Sequence, residues 1–453
     1  MILAASLIAE ATGGTLLTDA GAGAICTDTR KIQPGDWFLA LKGDRFDAHD
    51  FLPQAREAGI GGAIASHVPP DWDRGFVKVD DGLRALQDIA RRVRQDYRRP
   101  VVGITGSAGK TTTRAMIALA LEPLGQIHQT AGNFNNHIGL PLTILDAPVG
   151  ADAWVLEMGM NHLGEIALLQ EIGAPTVRVI TNVGAAHLEG VGSIELVAQA
   201  KGELFEGARP GDILCINADD PHICRLPIPD GVRVIRYGES MDSDVRLTDA
   251  AIDPSTLQTR FRIETPTGRI LGTIPSPGLH LAHNATAATA VATALRVPTD
   301  QIGALLGRYA PVGMRLRIEQ GPGGIRVIND AYNANPMSMK ASLETLCSVP
   351  RHQGARRIAL LGDMLELGDA EIQAHREIID LAESLDLDVL GLAGPRFAQA
   401  AGTDTRHLTA PNAAELAQLL KTSLMPGDVV LLKGSRGLAM EGVLSALQME
   451  AKT

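Results

Sequence analysis

The sequence predicts an α/β protein of three domains: a central, doubly wound parallel sheet with a phosphate-binding loop, an α/β domain before it and a Rossmann-like domain after it. Three observations carry this prediction. A chain of 453 residues exceeds what one hydrophobic core supports. Short apolar strand signals alternate with helical stretches through the middle of the chain and again through its end. The run Gly103-Ile104-Thr105-Gly106-Ser107-Ala108-Gly109-Lys110-Thr111-Thr112-Thr113 follows β-branched Val101-Val102 and opens an alanine-rich helix, which is the setting a phosphate-cradling loop requires.

Residues 1–98 form the first domain, with strand signals near Ile25, over 37–41 and over 62–65, and turns at Pro34-Gly35 and Gly43-Asp44. Arg91, Arg92, Arg94, Arg98 and Arg99 read as the solvated face of a helix leading into a linker rather than a nucleic-acid surface, with Tyr97 the one aromatic residue among them. Pro100 marks a boundary. The central domain, 99–312, carries strand signals at Val101, 154–157, 177–181 and 213–217, with its site expected at the strand ends. Antiparallel-looking segments at 232–237, 259–263 and 269–274 predict an inserted or edge β-unit before a helix over 283–295. The third domain, 313–453, restarts the alternation at 325–328, 358–361 and 429–432. It has no intact GxGxxG, so a second dinucleotide site is not expected.

Composition narrows the class. A net charge of -11 argues against nucleic acid or anionic membrane as the main partner. Cys26, Cys215, Cys224 and Cys347 show no ligand spacing, which suits reduced thiols in a cytoplasmic enzyme. Residues 1–11 lack the basic leading segment of a signal peptide. No apolar run reaches spanning length, so no integral membrane association is expected.

Gly106 and Gly109 allow a tight turn, flanking Ser107 and Ala108, whose N–H groups face phosphate oxygens; Lys110 neutralises charge, and Thr111, followed by Thr112, offers a hydroxyl to Mg²⁺. Glu157 ends an apolar strand, where a metal-binding acid belongs. His187 lies on a loop after another strand and points at the same crevice. Asn133, Asn135 and Asn136 could bond a polar substrate or make Asx turns. Lys201, read alone, is a surface lysine. Arg315, Asp330, Lys433 and Arg436 place charge beside glycine or strand-end signals in the third domain.

Across essentially its whole length the chain resembles the Mur ligase family. The likeness rests on Thr27-Asp28-Thr29-Arg30, Ala40-Leu41-Lys42-Gly43 and Phe46-Asp47-Ala48-His49, the phosphate loop, and Gly132 to Asn136. It continues through Glu157-Met158-Gly159, Ala186-His187-Leu188-Glu189-Gly190, Ala200-Lys201-Gly202-Glu203, the stretch from Asn329 to Pro336, Leu361 to Gly368, and Lys433-Gly434-Ser435-Arg436. The resemblance implies ATP-dependent amide-bond formation through an acyl phosphate. The stretch Asn329-Asp330-Ala331-Tyr332-Asn333-Ala334-Asn335-Pro336, and the absence of a DNPR-type motif, point to the type that joins D-alanyl-D-alanine to UDP-N-acetylmuramoyl-tripeptide in peptidoglycan precursor synthesis.

Residue roles follow from the same resemblance. The first domain would receive the UDP-sugar, with Thr29, Arg30, Lys42 and Gly43 on the substrate side together with Asn133, Asn135 and Asn136. Lys110 and Thr111 would hold phosphates and Mg²⁺, Glu157 and His187 would help hold two magnesium ions, and Lys201 would be carbamylated and serve the metal site. Asn284 would contact adenine; Arg315 and Asp330 would reach ATP as the third domain closes; Asn333, Asn335, Lys433 and Arg436 would contribute to the acceptor side. The enzyme is expected to act as a monomer. Two departures stand out: Leu281 replaces the first Asn of a His-Asn-x-x-Asn pattern, and Asn329 stands where many relatives have Asp.

Other readings stay open. A sister ligase or a folylpolyglutamate-synthase-like enzyme shares the central motifs, although the latter has no need of the first domain. A P-loop kinase or nucleotide switch would carry a base-specifying signature such as NKxD, which is missing. A non-catalytic nucleotide-binding scaffold differs in showing no ATP turnover coupled to two substrates.

Overall fold

Strands form where short apolar runs occur, and the N-terminal segment shows both the rule and its limit. The computed structural model describes residues 1–43, 45–350, 354–420 and 423–449, so the Asp44 half of the expected Gly43-Asp44 turn lies outside the described residues. The chain divides into two units: Met1–Gly103 with Leu124–Gly159 and Gly164–Val177, and Ile104–Pro123 with Met160–Leu163 and Arg178–Thr453.

In the first unit a five-stranded sheet runs in the order Thr15–Thr18, Gly75–Lys78, Gly62–Ala65, Trp37–Leu39, Ile25–Cys26. All neighbours pair parallel except Thr15–Thr18 with Gly75–Lys78. The sequence reading missed those two strands, one of which is mostly exposed while the other begins on a glycine. That glycine has a packing reason: side-chain atoms at Gly62 or Gly75 would lie 2.6 and 2.8 Å from the ring of Trp37, which is wholly buried. Ile127–Gln129 pairs parallel with Ala153–Glu157 in the same unit.

The arginine run is only partly the solvated face expected of it. It lies on and after helix Gly82–Asp96, capped by the Asp81 carboxylate. Arg94, however, is buried and donates to the carbonyls of Gly173 and Ala174 at 2.8 and 2.5 Å, satisfying the end of helix Glu165–Gly173. Arg91 pairs with Asp88 and Glu171, Arg92 with Glu10 and Asp96, and Arg99 with Asp152. Most of these cations thus have carboxylate or carbonyl partners within the fold.

In the second unit, strands Val177–Ile180, Ile213–Asn217, Arg233–Gly238, Val245–Ile252, Thr259–Thr265 and Gly268–Ile274 lie side by side in that order. Arg233–Gly238 corrects the sequence reading: it pairs parallel with both neighbours, so the antiparallel edge unit starts one strand later and includes Val245–Ile252, which was not foreseen. A bulge between Leu247 and Asp249 breaks the alternation of that strand. Helix Leu279–Ala294 is buried on most sides; Thr286 and Thr289 turn their hydroxyls back to the Ala282 and Ala285 carbonyls at 2.8 Å. Leu281, in place of the family's Asn, is a core residue.

The C-terminal sheet has the order Arg317–Gln320, Arg326–Asp330, Val429–Lys433, Arg357–Gly362, Val389–Ala393, Leu408–Ala410. It is parallel apart from its first strand. Asn329 is buried and donates to Glu319 at 2.9 Å, a structural use for the position where relatives carry an acid. The register sets Asp330 beside Lys433 at the strand ends. The lysine Nζ lies 2.5 Å from Asp330 Oδ2, whose carboxylate also accepts from Ser342 Oγ at 2.6 Å and from Leu316 N at 3.1 Å. Leu316 has φ of 53°, a costly conformation for a bulky residue, and its carbonyl accepts from Ser276 Oγ at 3.1 Å. One carboxylate thus gathers a strand, helix Pro336–Ser348 and the segment that enters the sheet.

Two predictions follow from this node. Lys433→Met strands a buried carboxylate and lowers unfolding free energy by about 3–5 kcal/mol, whereas Asp330→Asn/Lys433→Met recovers most of the loss in urea titrations. His280 is half-buried; burial first, and then the Lys433 charge, hold its pKa down at about 4 against an ordinary 6.5, despite the opposing pull of Asp330. The folded state therefore favours neutral imidazole, and that stabilisation, full above the unfolded pKa, is lost as pH falls from about 6.5 towards 4. His280→Asn loses less stability than the wild type between pH 6.5 and 4.5 in thermal melts.

Candidate active site at the phosphate loop

The buried strand Val101–Thr105 delivers the chain into a loop whose shape depends on two glycines. At Gly106 (φ 153°) a Cβ would lie 1.9 Å from Thr181 Oγ1; at Gly109 (φ 77°) it would lie 2.8 Å from Asn284 Oδ1. The loop is tied to the segment after the neighbouring strand. Ser107 N donates to Asn182 O at 3.0 Å and Ala108 N to Asn182 Oδ1 at 2.8 Å. Ser107 Oγ accepts from Gly184 N at 2.9 Å and donates to Gly184 O at 3.0 Å. The Ser107 and Ala108 amides thus donate to Asn182, where the sequence reading has them facing phosphate oxygens, and helix Lys110–Ala120 begins directly after them with the positive end of its dipole. Lys110 Nζ folds over the loop to Gly106 O at 2.5 Å. Thr111 and Thr112 are buried in the first turn, and Asn284 flanks Gly109.

Lys201 reverses its surface reading. It lies on helix Ile194–Glu206 and is 1 % exposed. Burial, and then the nearby Lys110 charge, hold its amine well below the usual lysine range. Its helix is fixed at the C-terminal end by buried Arg178, which donates to Leu204 O and Gly207 O at 2.8 Å and to Asp212 at 3.2 Å. His187, at φ 58°, points Nδ1 at Glu366 Oε2, 2.7 Å away. Burial pushes the imidazole down in pKa, while the bond to His187 holds the Glu366 carboxyl down. Sequence reasoning missed Glu366 as a site residue; its signal was the Leu361–Gly368 motif directly after a strand.

The C-terminal portion also reaches the loop through Asn335. Its Oδ1 accepts from Ser338 N at 2.9 Å, capping helix Pro336–Ser348, while its Nδ2 donates to Ser107 O at 3.2 Å. A Cβ on Gly184 would lie 2.4 Å from Met337 Cε. The other expected third-domain residues are arranged differently. Arg315 lies over the Tyr332 ring at 3.7 Å, Asn333 is exposed with its carbonyl on Lys433 at 3.2 Å, and Arg436 is exposed and paired with Glu441. Asp330 and Lys433 are turned towards each other.

In the first unit Glu157 is 2 % exposed at its strand end. Its amide donates to Thr130 Oγ1 and its Oε1 accepts from Asn135 Nδ2, both at 2.9 Å. Asn136 makes the Asx turn, accepting from Ile138 N and Gly139 N, and Asn133 is exposed. The three amides thus divide between brace, turn and open surface. Arg30 grips Asp28 through two bonds of 2.8 Å, which hold the Asp28 carboxyl down at about 2. Thr29 is half-buried, Gly43 closes a turn onto Phe46 O at 2.9 Å, and exposed Lys42 sits 3.8 Å from Asp47. No described helix is long and apolar enough to cross a membrane.

Residues 104–292 match the Mur ligase middle domain and residues 314–436 the Mur ligase glutamate ligase domain. The chain is 36 % identical over 431 residues to the UDP-N-acetylmuramoyl-tripeptide–D-alanyl-D-alanine ligase of Bacillus subtilis, covering 93 % of this chain and 92 % of that protein. It is 36 % identical over 427 residues to the Escherichia coli ligase of the same name, with 94 % and 93 % covered. Among solved structures, MurF from Acinetobacter baumannii superposes with a TM-score of 0.90 at 31 % identity over 99 % of both chains. MurF from Thermotoga maritima in complex with ADP gives 0.85 at 28 %, over 95 % of this chain and 98 % of that one. A Mycobacterium tuberculosis folylpolyglutamate synthase, at 19 % identity and a TM-score of 0.63 over 80 % of this chain and 93 % of that one, shares the fold alone. With this breadth of agreement, the chain has the three-domain Mur ligase architecture and belongs to the Mur ligase family.

Proposed function

We propose that this chain joins D-alanyl-D-alanine to UDP-N-acetylmuramoyl-tripeptide at the expense of ATP, forming the pentapeptide precursor of peptidoglycan. The observation that carries the reading is a lysine, Lys201, buried at 1 % exposure on a helix of the unit that holds the phosphate loop, in a chain of which 93–94 % aligns with ligases of that name. A carboxylate does not condense with an amine at neutral pH, so the donor oxygen must first become a leaving group; phosphoryl transfer to it gives an acyl phosphate, which the dipeptide amine attacks. The reacting groups are anionic, and the site's main task is charge neutralisation and alignment.

In this reading residues 1–98 receive the UDP-sugar, 99–312 the nucleotide and 313–453 the incoming dipeptide. Lys110 and the start of helix Lys110–Ala120 hold the transferred phosphoryl group. The Thr111 hydroxyl, and Lys201 once it carries a carboxylate, would offer the oxygen donors magnesium takes, and the family resemblance assigns Glu157 and His187 to magnesium as well. Magnesium, when bound, would neutralise phosphate charge. Lys201 is suited to that conversion: a neutral amine attacks CO₂ and loses a proton, giving a carbamate, and the adjacent Lys110 cation offsets the new negative charge. Asn284, Arg315 and Asp330 are assigned to the nucleotide, and Thr29, Arg30, Lys42, Gly43, Asn133, Asn135, Asn136, Asn333, Asn335, Lys433 and Arg436 to the two substrates.

Phosphate release from ATP and Mg²⁺, with the pentapeptide followed by mass, tests the function. Product is expected only when both tripeptide and dipeptide are present, and Lys110→Ala is expected to lower the rate by about 100-fold or more. Phosphate release that ignores the dipeptide would overturn the assignment. For Lys201, protein equilibrated with ¹³C-bicarbonate is expected to show one carbamate carbonyl resonance that disappears in Lys201→Ala; its absence from the wild type would remove the carbamate from the mechanism.

A further inference from the structure

The His187–Glu366 contact brings together residues 179 positions apart and is more tightly specified than an ordinary exposed ion pair. Both residues hold left-handed backbone conformations, φ 58° and 64°, which non-glycine residues keep only when their surroundings enforce it. The Glu366 carbonyl also accepts from Glu189 N at 3.2 Å, so backbone and side chain of one residue both engage the 187–189 turn.

The loop that presents Glu366 is pinned one residue at a time. The buried Asp363 carboxylate accepts from Phe397 N at 2.9 Å and Arg396 N at 3.1 Å. Met364 N donates to His375 Nε2 at 2.9 Å, and Leu365 N donates to Ser435 Oγ at 2.9 Å. Such anchoring sets a side chain to a defined place and is not needed for a mobile surface acid.

The contact decides which nitrogen of His187 carries the proton. In the neutral imidazole, a carboxylate facing Nδ1 at 2.7 Å places the proton on Nδ1 and leaves the lone pair on Nε2. Nothing in the chemistry of a lone imidazole enforces that tautomer.

We propose that Glu366 is a positioning residue: through its contact with Nδ1 it fixes the ring orientation and tautomer of His187, so that Nε2 is presented as an acceptor only while the 363–368 loop is docked on the 184–190 segment. This rests on the proposed ligase reading, in which His187 serves the magnesium site. It makes metal affinity depend on the seating of the C-terminal portion, which Asn335 also brings to Ser107 of the phosphate loop and Met337 to Gly184.

The test uses the full chain labelled with ¹⁵N-histidine, without ligands, and reads the His187 ring by two-bond proton–nitrogen correlation, assigned by its loss in His187→Asn. The wild type and Glu366→Gln, whose amide oxygen can still accept, are expected to show Nδ1–H; Glu366→Ala is expected to lose that pattern. In the ligation assay Glu366→Ala is expected to raise the Mg²⁺ concentration for half-maximal rate and lower kcat by about 10- to 100-fold, with KM for the dipeptide changed less than about threefold, and Glu366→Gln to recover most of the loss. The wild-type ring pattern persisting in Glu366→Ala, a changed ring pattern with unchanged Mg²⁺ dependence, or Glu366→Gln as impaired as Glu366→Ala would each overturn the proposal. The ring measurement needs no turnover and Glu366→Gln is nearly isosteric, so a folding defect in one variant does not block it. A wild type that does not ligate would refute the function while leaving the tautomer assignment standing.

Discussion

The close approach of the phosphate loop to the 181–184 segment is the constraint from which the site is built. It exists because Gly106 has no side chain where Thr181 Oγ1 would meet one, and Asn182 and Gly184 then bind the loop through Ser107 and Ala108. Those bonds use two loop amides within the protein, and helix Lys110–Ala120 begins directly after them with the positive end of its dipole. A loop held on its neighbour's strand end is also a fixed surface, and Asn335 and Met337 of the C-terminal portion seat on that same surface.

Charge is managed by burial as much as by pairing. Burial drives the Lys201 amine towards its neutral form, and the Lys110 charge adds to that shift. Asp330 and Lys433 solve the opposite problem: each would be costly alone, and the ion pair with its extra hydrogen bonds offsets their desolvation. That pair also holds Leu316 in its left-handed conformation. The point where the chain enters the C-terminal sheet is therefore held by a hydrogen bond to that ion pair as well as by burial of the Leu316 side chain.

The arginines after the first domain illustrate how misleading composition is when read without partners. Five arginines in nine residues read as one solvated helix face, yet Arg94 ends a helix from inside the fold and Arg91, Arg92 and Arg99 face carboxylates. The amides at 133–136 show the same division, since Asn135 braces Glu157 while Asn136 merely turns the chain.

Local patterns in the sequence determined the α/β class, the phosphate loop, the strands at 62–65 and 213–217, the C-terminal alternation and the resemblance to the Mur ligase family. These depend on neighbours within a few residues: a strand that alternates or is wholly apolar, a glycine needed for a turn, a lysine opening a helix. Strands Thr15–Thr18 and Val245–Ile252 were not legible, because a short, mostly exposed strand and a bulged one lack that local signature. Only the tertiary structure decided that Lys201 is buried, that Asp330 and Lys433 face each other, and that Glu366 meets His187. Each involves desolvation or hydrogen bonding between distant segments, and those energies are set by distance and enclosure, which the order of residues along the chain does not contain.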